Sequence, residues 1–349
     1  MTGARGLPAI AVFVGVCALL PALTDSGVLL TFLMMALYGT LMAQAWNLLG
    51  GFGGQFSFGH ALFFGTGAYI QAIAQLQGGL NPWVALPLAV AGAGLVGLGC
   101  GAISFRYGLR CSYFALVTLA FAEVFRIVAL SVPFTGAGVG LMVPLREGVA
   151  NLQFGSRRGF VWLVLAFVAA ALLVSWWLQH SRFGAWLQAV RDNEDAARAI
   201  GVDPQRVKRG AIGLSGAFMG AAGAFYVQVF QYIDPGIAFG PHTSVEALVA
   251  AIVGGLGTLW GPVAGALALH LLADLTRNLF GQVPGINMVI YGCVLVLIVM
   301  FAPRGLLGLG ISVREAWRRS TTGGAGAATP RDAAVASADE PRAGRDAHG

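Results

Sequence analysis

Apolar stretches of roughly 20 residues recur along the whole length of this chain, and few charges interrupt them. A hydrocarbon core about 30 Å thick is crossed by about 20 helical residues at a rise of 1.5 Å each. Charged residues make up only 10% of the 349, against the roughly one quarter typical of soluble globular domains. Most of the surface must therefore face something other than water. The chain carries 51 glycines, which weaken soluble helices but are common in membrane helices, where small residues let backbones approach. The predicted fold class is all-α, a polytopic helical membrane protein.

Ten crossings are predicted, near Leu7–Leu23, Val28–Leu49, Phe56–Leu76, Trp83–Phe105, Cys111–Val132, Gly159–Gln179, Gly210–Tyr232, Thr243–Val253, Gly261–Leu279 and Gly285–Phe301. Two of these read as broken or re-entrant. The third follows the cluster Gly50, Gly51, Gly53 and Gly54, and the eighth is too short to cross straight. No small-x-small cleavage pattern follows the first run, so it is read as a span and not as a signal peptide. Lys and Arg collect on the cytoplasmic side of membrane proteins. Placing both termini inside puts Arg5, Arg106, Arg110, Arg304 and the basic residues of 180–209 in the cytoplasm. Only Arg146, Arg157 and Arg158, in the Phe134–Arg158 loop, are left outside. The net charge of +6 thus reflects topology and does not point to nucleic acid. Cys17, Cys100, Cys111 and Cys293 lack paired spacing and read as packing residues, and no metal or cofactor is expected. The chain divides into an N-terminal segment with the first span (1–27), a transmembrane unit (28–307) and a cytoplasmic tail (308–349). From Ser320 onward the tail is too polar and too small-residued to bury a core and is predicted to be disordered.

Residues 180–209 form the longest polar segment between spans and are the most informative part of the chain. Asn193–Ile200 suits a short helix, with Asp192 as its cap and Glu194 and Asp195 at the positive end of its dipole. Gly201 can end it in a left-handed conformation, and Pro204 blocks continuation. Ala196, Ala197, Ala199 and Ile200 supply one small apolar face. A helix of about two turns is marginal alone and needs a partner surface. A plain connector between spans would not require such punctuation.

The run RFGAWLQAVRDNEDAARAIGVDPQRVKR, followed by GAIGLSGAFMGAAGAFY, resembles the cytoplasmic coupling region of the LivM-type branched-chain amino-acid permeases. Three further blocks agree in order and spacing: GGFGGQFSFGHALFFGTGAYIQA from Gly50, VGGLGTLWGPVAGA from Val253 and FAPRGL from Phe301. The resemblance covers Val28 to Leu307. Phe58 departs conservatively from the leucine more usual there, and the tail after Ser320 has no counterpart. The resemblance implies the permease subunit of an ATP-binding-cassette importer in a prokaryotic inner membrane. Its implied partners are a homologous second permease, two ATPase subunits and an external substrate-binding protein. It also implies that Arg191, Asp192, Asn193, Glu194, Ala196, Ala197, Ile200 and Gly201 form the ATPase contact.

Broken helices near the membrane midplane often line a substrate path. Two glycine-rich stretches qualify: Gly50–Gly67, with Gln55, Ser57 and His60, and Thr243–Gly261, with Glu246. Close helix packing through small residues is the competing reading of both. A charge at the bilayer centre costs about 2.5–3.5 kcal/mol on insertion scales. Glu123 with Arg126, and Asp274 with Arg277, lie three apart and can each form a local ion pair. Glu246 has no such partner within sequence reach, which makes it the stronger pathway candidate.

A phosphate-binding P-loop needs a lysine before Ser or Thr, and the chain's single lysine, Lys208, lies in Val-Lys-Arg. The chain is therefore read as a transport subunit and not an enzyme, with ATP hydrolysis on partner chains. One alternative is an ion-coupled secondary transporter, which leaves the 180–209 segment unexplained. Another is a rhomboid-like intramembrane serine protease, built on Gly213-Leu214-Ser215-Gly216 with His270 or His242 as base.

Overall fold

The computed structural model describes residues 6–108 and 111–280, with a few isolated positions between 289 and 308. The chain begins with α1 (Gly6–Leu23) and α2 (Gly27–Asn47), and α2 continues into a wider π turn at Leu48–Phe52. Then come α3 (His60–Leu76), α4 (Pro82–Arg106), α5 (Cys111–Ser131) and α6 (Arg157–His180). The segment after α6 folds as α7 (Arg182–Asp192) and α8 (Glu194–Ala199). The long α9 (Pro204–Phe230) follows, and then α10 (Pro235–Phe239), α11 (Pro241–Gly254) and α12 (Gly261–Phe280). Two short strands, β1 (Leu141–Met142) and β2 (Tyr232–Ile233), pair antiparallel with Leu141 opposite Ile233. They tie the α5–α6 loop to the end of α9.

Seven helices among the described residues are long and apolar enough to cross a bilayer: α1, α2 with its π turn, α4, α5, α6, α9, and α10 with α11 taken together. The ten expected crossings are thus not matched one for one. The third segment does not start at Phe56; irregular backbone runs to Gly59 and leaves α3 only 17 residues long. The ninth corresponds to α12, a shorter apolar helix over Gly261–Thr276. The eighth gains α10 in front of it, and the chain bends at Gly240 between the two. Most of the tenth segment, the FAPRGL block apart from Gly305 and Leu306, and the tail beyond Gly308 lie outside the described residues.

Enclosure separates the helices into two kinds. Within the apolar window of α9, 72% of residues are buried, and 67% within that of α2, against 17% for α1 and 28% for α5. A helix apolar on every side belongs in the interior or in lipid. Here α2 and α9 take the interior while α1 and α5 leave most of their surface for lipid. Small residues permit the tightest crossings. A side chain at Gly67 or Gly223 would collide with backbone across the α3–α9 contact, and one at Gly265 would collide with α11. Glu123 and Arg126 pair on α5 as expected, with Nε–Oε2 at 2.8 Å and Nη2–Oε1 at 2.5 Å. The expected Asp274–Arg277 pair lies outside the described side chains.

The two ends of the bundle are distinguishable. At one end Arg158 pairs with Asp25, Gln77 donates to the Phe134 carbonyl and Trp83 to the Val149 carbonyl. This end therefore gathers the α1–α2, α3–α4 and α5–α6 connections. At the other end lie α7, α8 and the starts of α9 and α12.

Candidate functional site

The α7–α8 segment is built by explicit caps. Ser181 Oγ accepts from Gly184 N at 3.1 Å and starts α7. Gly184, Leu187 and Val190 are buried, so α7 has an apolar face of its own turned inward. Asn193, and not Asp192 as expected, caps α8: its Oδ1 accepts from Asp195 N at 3.1 Å and Ala196 N at 3.0 Å. Asp192 is the last residue of α7. An amide one position later, with φ −156° and ψ 107°, reaches those N–H groups because the chain turns there and not at Asp192. Gly201 ends α8 as expected. At φ +88° it allows Val202 N to reach the Ala197 carbonyl and its own N the Arg198 carbonyl, each at 3.0 Å.

The eight residues named for the ATPase contact divide by direction. Ala197 is 2% exposed and faces the protein's own body. Glu194 also turns inward, with Oε2 at 2.7 Å from Lys208 Nζ and Oε1 at 3.5 Å from Arg198. Lys208 is itself buried on α9 and sits 5.6 Å over the Phe105 ring. By contrast Ile200 is 77% exposed, and Asp192, Asn193, Ala196 and Gly201 are exposed with it.

Arg191 is an anchor. Its Nη1 donates to the Gly51 carbonyl at 3.1 Å, and its stem packs over Gly54. The same guanidinium lies 3.3 Å from where a side chain at Gly257 would begin. Arg191 thus touches both glycine-rich stretches, the one after α2 and the one after α11. Gln44 and Asn47 on α2 hold the second: Asn47 takes Gly257 N at 2.8 Å and gives to the Thr258 carbonyl at 3.0 Å. Gln44 gives to the Leu259 carbonyl at 2.8 Å and accepts from Ser175 Oγ at 3.2 Å. Two amides three apart within an apolar span were the available sequence signal for this clamp.

Ser57 and His60 meet Ser215 in a directional chain of hydrogen bonds. The Ala45 carbonyl can only accept, so Ser215 gives it its proton at 2.7 Å. Ser215 Oγ then accepts from His60 Nε2 at 2.8 Å. His60 Nδ1 is left to accept from Ser57 Oγ at 3.0 Å, and Ser57 accepts from Gly59 N at 3.2 Å. All three side chains are fully buried and the imidazole is held in one neutral tautomer. Ser57 does not cap α3, whose cap position is Gly59. Ser215 meets neither His270 nor His242; its proton goes to the Ala45 carbonyl and the imidazole beside it, His60, donates to it, so it is not set up as a nucleophile. Gln55 is buried beside this chain, its Oε1 without a hydrogen-bond partner among the described residues.

Glu246 stands apart, on α11 toward the end opposite α7 and α8. Sequence reading left it without a partner; His242, one turn earlier, places Nδ1 at 3.9 Å from its Oε2. Its side chain is 22% exposed and lines a cavity of about 350 Å³ with Tyr38, Phe64, Tyr226, His242 and Thr243. Glu246 and Tyr38 also line a neighbouring groove of about 590 Å³ that includes Arg157, His270 and Asp274.

Residues 28–299 match the family described as branched-chain amino acid transport system / permease component. The chain belongs to this family. Against the high-affinity branched-chain amino acid transport system permease protein LivM of Escherichia coli K12, the permease is 29% identical over 286 residues. That match takes in 75% of this chain and 65% of LivM, so the chain spans about two thirds of that relative's length. A probable LivH permease of Methanocaldococcus jannaschii is 27% identical over 268 residues, 70% of this chain and 80% of its own. The permease is also 24% identical over 191 residues to the fructose import permease FruF of Bifidobacterium longum, covering 54% of this chain and 52% of FruF. Homology thus reaches proteins named for chemically unlike solutes.

Proposed function

We propose that this permease forms half of the translocation pore of an ATP-binding-cassette importer for branched-chain and related hydrophobic amino acids. The observation that carries the reading is α8, a six-residue helix capped at both ends and followed at its C-cap by an apolar, exposed Ile200. A helix of that length has too little contact to stand without support. Here the Glu194–Lys208 pair and inward-facing Ala197 support one side and leave the other for a partner. An ATPase subunit docked on Asp192, Asn193, Ala196, Ile200 and Gly201 would push on α8. Arg191 and Glu194 carry that push inward, Arg191 to the breaks after α2 and α11, Glu194 to α9.

The basic bias of the α7–α8 end argues that it is cytoplasmic, in a prokaryotic inner membrane with both termini inside. The transmembrane unit 28–307 carries the pore, with 1–27 and the tail as additions. A second, homologous permease completes the pore, consistent with similarity to both LivM and LivH. The opposite end exposes Val139, Met142, Leu145 and Val149 in the α5–α6 loop, a surface suited to an external binding protein. Gln55, Ser57 and His60 frame the break beside the path, and Glu246 lies on it. No nucleic acid and no cofactor enters the mechanism.

The test is purification from native membranes and reconstitution with the chains that accompany the permease. ATPase chains should co-purify, and leucine uptake should require ATP and survive a protonophore. Uptake driven by an ion gradient with no ATPase present would replace this reading with a secondary transporter.

A further inference from the structure

We propose that the cavity at the α10–α11 corner recognises the protonated amine of an α-amino acid, with Glu246 receiving the ammonium group. The proposal deepens the permease reading and rests on it for the solute's apolar part. A carboxylate inside a membrane helix is costly unless it meets a cation or water. The one ion pair Glu246 makes among the described residues is with His242 at 3.9 Å, beyond hydrogen-bond reach, and the His242 side chain is 53% exposed. Among the described residues no cation approaches the carboxylate more closely than this.

The walls suit a cation. Phe64 stands edge-on to Tyr226 with centroids 5.7 Å apart, and Tyr38 lies 6.3 Å from Tyr226. Aromatic faces attract a cation within about 6 Å of the ring centroid, most strongly when it is desolvated. Neither Lys nor Arg is among the described residues that line this cavity. The hydroxyls of Tyr38 and Tyr226 make no hydrogen bond to a described residue, so they remain to share a bound ammonium's donors or its carboxylate. No group of three metal-ligating side chains exists among the described residues, which favours an organic cation over a metal ion.

Size and surroundings narrow the class further. At about 350 Å³ the cavity is near the lower end of the roughly 300–1,000 Å³ range of ligand pockets. Beyond the shared Tyr38–Glu246 wall, the groove offers apolar Phe32, Met35 and Phe230, together with Arg157, His270 and a second carboxylate, Asp274. An apolar side chain can follow the ammonium along Phe32, Met35 and Phe230, and Arg157 is the cation of this groove that a solute carboxylate would meet, away from Asp274. A sugar, uncharged and rich in hydroxyls, would leave Glu246 unanswered.

The test is binding of tritiated leucine to the full chain in lipid nanodiscs. The competitors are 3-methylbutylamine, which keeps the amine alone, and 4-methylpentanoate, which keeps the acid alone. The amine should compete and the acid should not. Glu246→Gln should weaken leucine binding by about tenfold or more, Glu246→Asp much less, and Tyr38→Leu by several-fold. If Glu246→Gln fails to fold, Tyr38→Leu at unchanged melting temperature decides. Equal competition by the acid, unchanged binding in Glu246→Gln, or no leucine binding by the wild type would overturn the proposal. ATP-driven leucine uptake untouched by Glu246→Gln would overturn it while sparing the permease reading. Amine-selective binding without any ATP-driven uptake would do the reverse.

Discussion

α7 and α8 follow one another in the same polar segment, yet they spend their apolar residues differently. α7 buries Leu187 and Val190 against the bundle and locks its end with Arg191 on the Gly51 carbonyl. α8 turns Ala197 and Glu194 inward and leaves Ile200 outside. The first helix is anchored on one face and leaves Trp186 47% exposed on the other; the second is held through Ala197 and Glu194. Under the proposed coupling, a push on α8 would meet an anchored neighbour, α7. The proposal therefore separates residues whose loss should damage the fold from residues whose loss should damage coupling alone.

The largest effect is expected from Leu187→Asp, which places an unpaired charge in the interior of α7's contact. It should cost several kcal/mol and lower the yield of monodisperse protein on fluorescence-detected size exclusion. Next is Lys208→Met, which strands Glu194 beneath α8. Removing one partner of a buried ion pair costs about 3–5 kcal/mol; Arg198, 3.5 Å from Glu194, should hold the loss below that range. The reading here is the melting temperature in detergent, and Glu194→Gln in the same background should recover part of it. Gly201→Ala is smaller. No atom obstructs a side chain there, so only the positive φ is strained, at about 1 kcal/mol. Proteolysis between α8 and α9 should rise with little change in melting. Ile200→Asp should be smallest for the fold, within about 0.5 kcal/mol as for other exposed positions, yet should abolish ATP-driven uptake. A stable, fully active Ile200→Asp would remove the distinction between the two helices.

Much of this was legible in the chain. The membrane class followed from the scarcity of charge, and Gly201 and Pro204 marked where α8 ends because their backbone limits are intrinsic. α7 was not foreseen as a helix, although Phe183, Leu187 and Val190 lie at helical spacing, because the run is short and flanked by charges. Asp192 was preferred over Asn193 as the cap because both residue types serve that role; only the direction of the chain at Asn193 decides. Which of Ala196 and Ala197 faces inward depends on α9 and α7, which pack from outside the local sequence. The Ser57–His60–Ser215 chain joins residues 155 apart in number, a distance no local pattern spans. The irregular stretches after α2 and α11 were visible as glycine clusters, but their clamp by Gln44, Asn47 and Arg191 was not, nor was α10 in front of the eighth segment.

The central claim, that α8 hands another protein's motion to the pore, is tested most directly by site-specific crosslinking in native membranes. With the four native cysteines replaced, a cysteine-reactive photocrosslinker is placed at position 196 or 200 and, as a control, at 187 on α7's buried face. Adducts at 196 and 200 should contain a nucleotide-hydrolysing chain and change in yield when ATP is trapped on it, while 187 gives none. Adducts at 196 and 200 that never include such a chain, in membranes where uptake is active, would contradict the account.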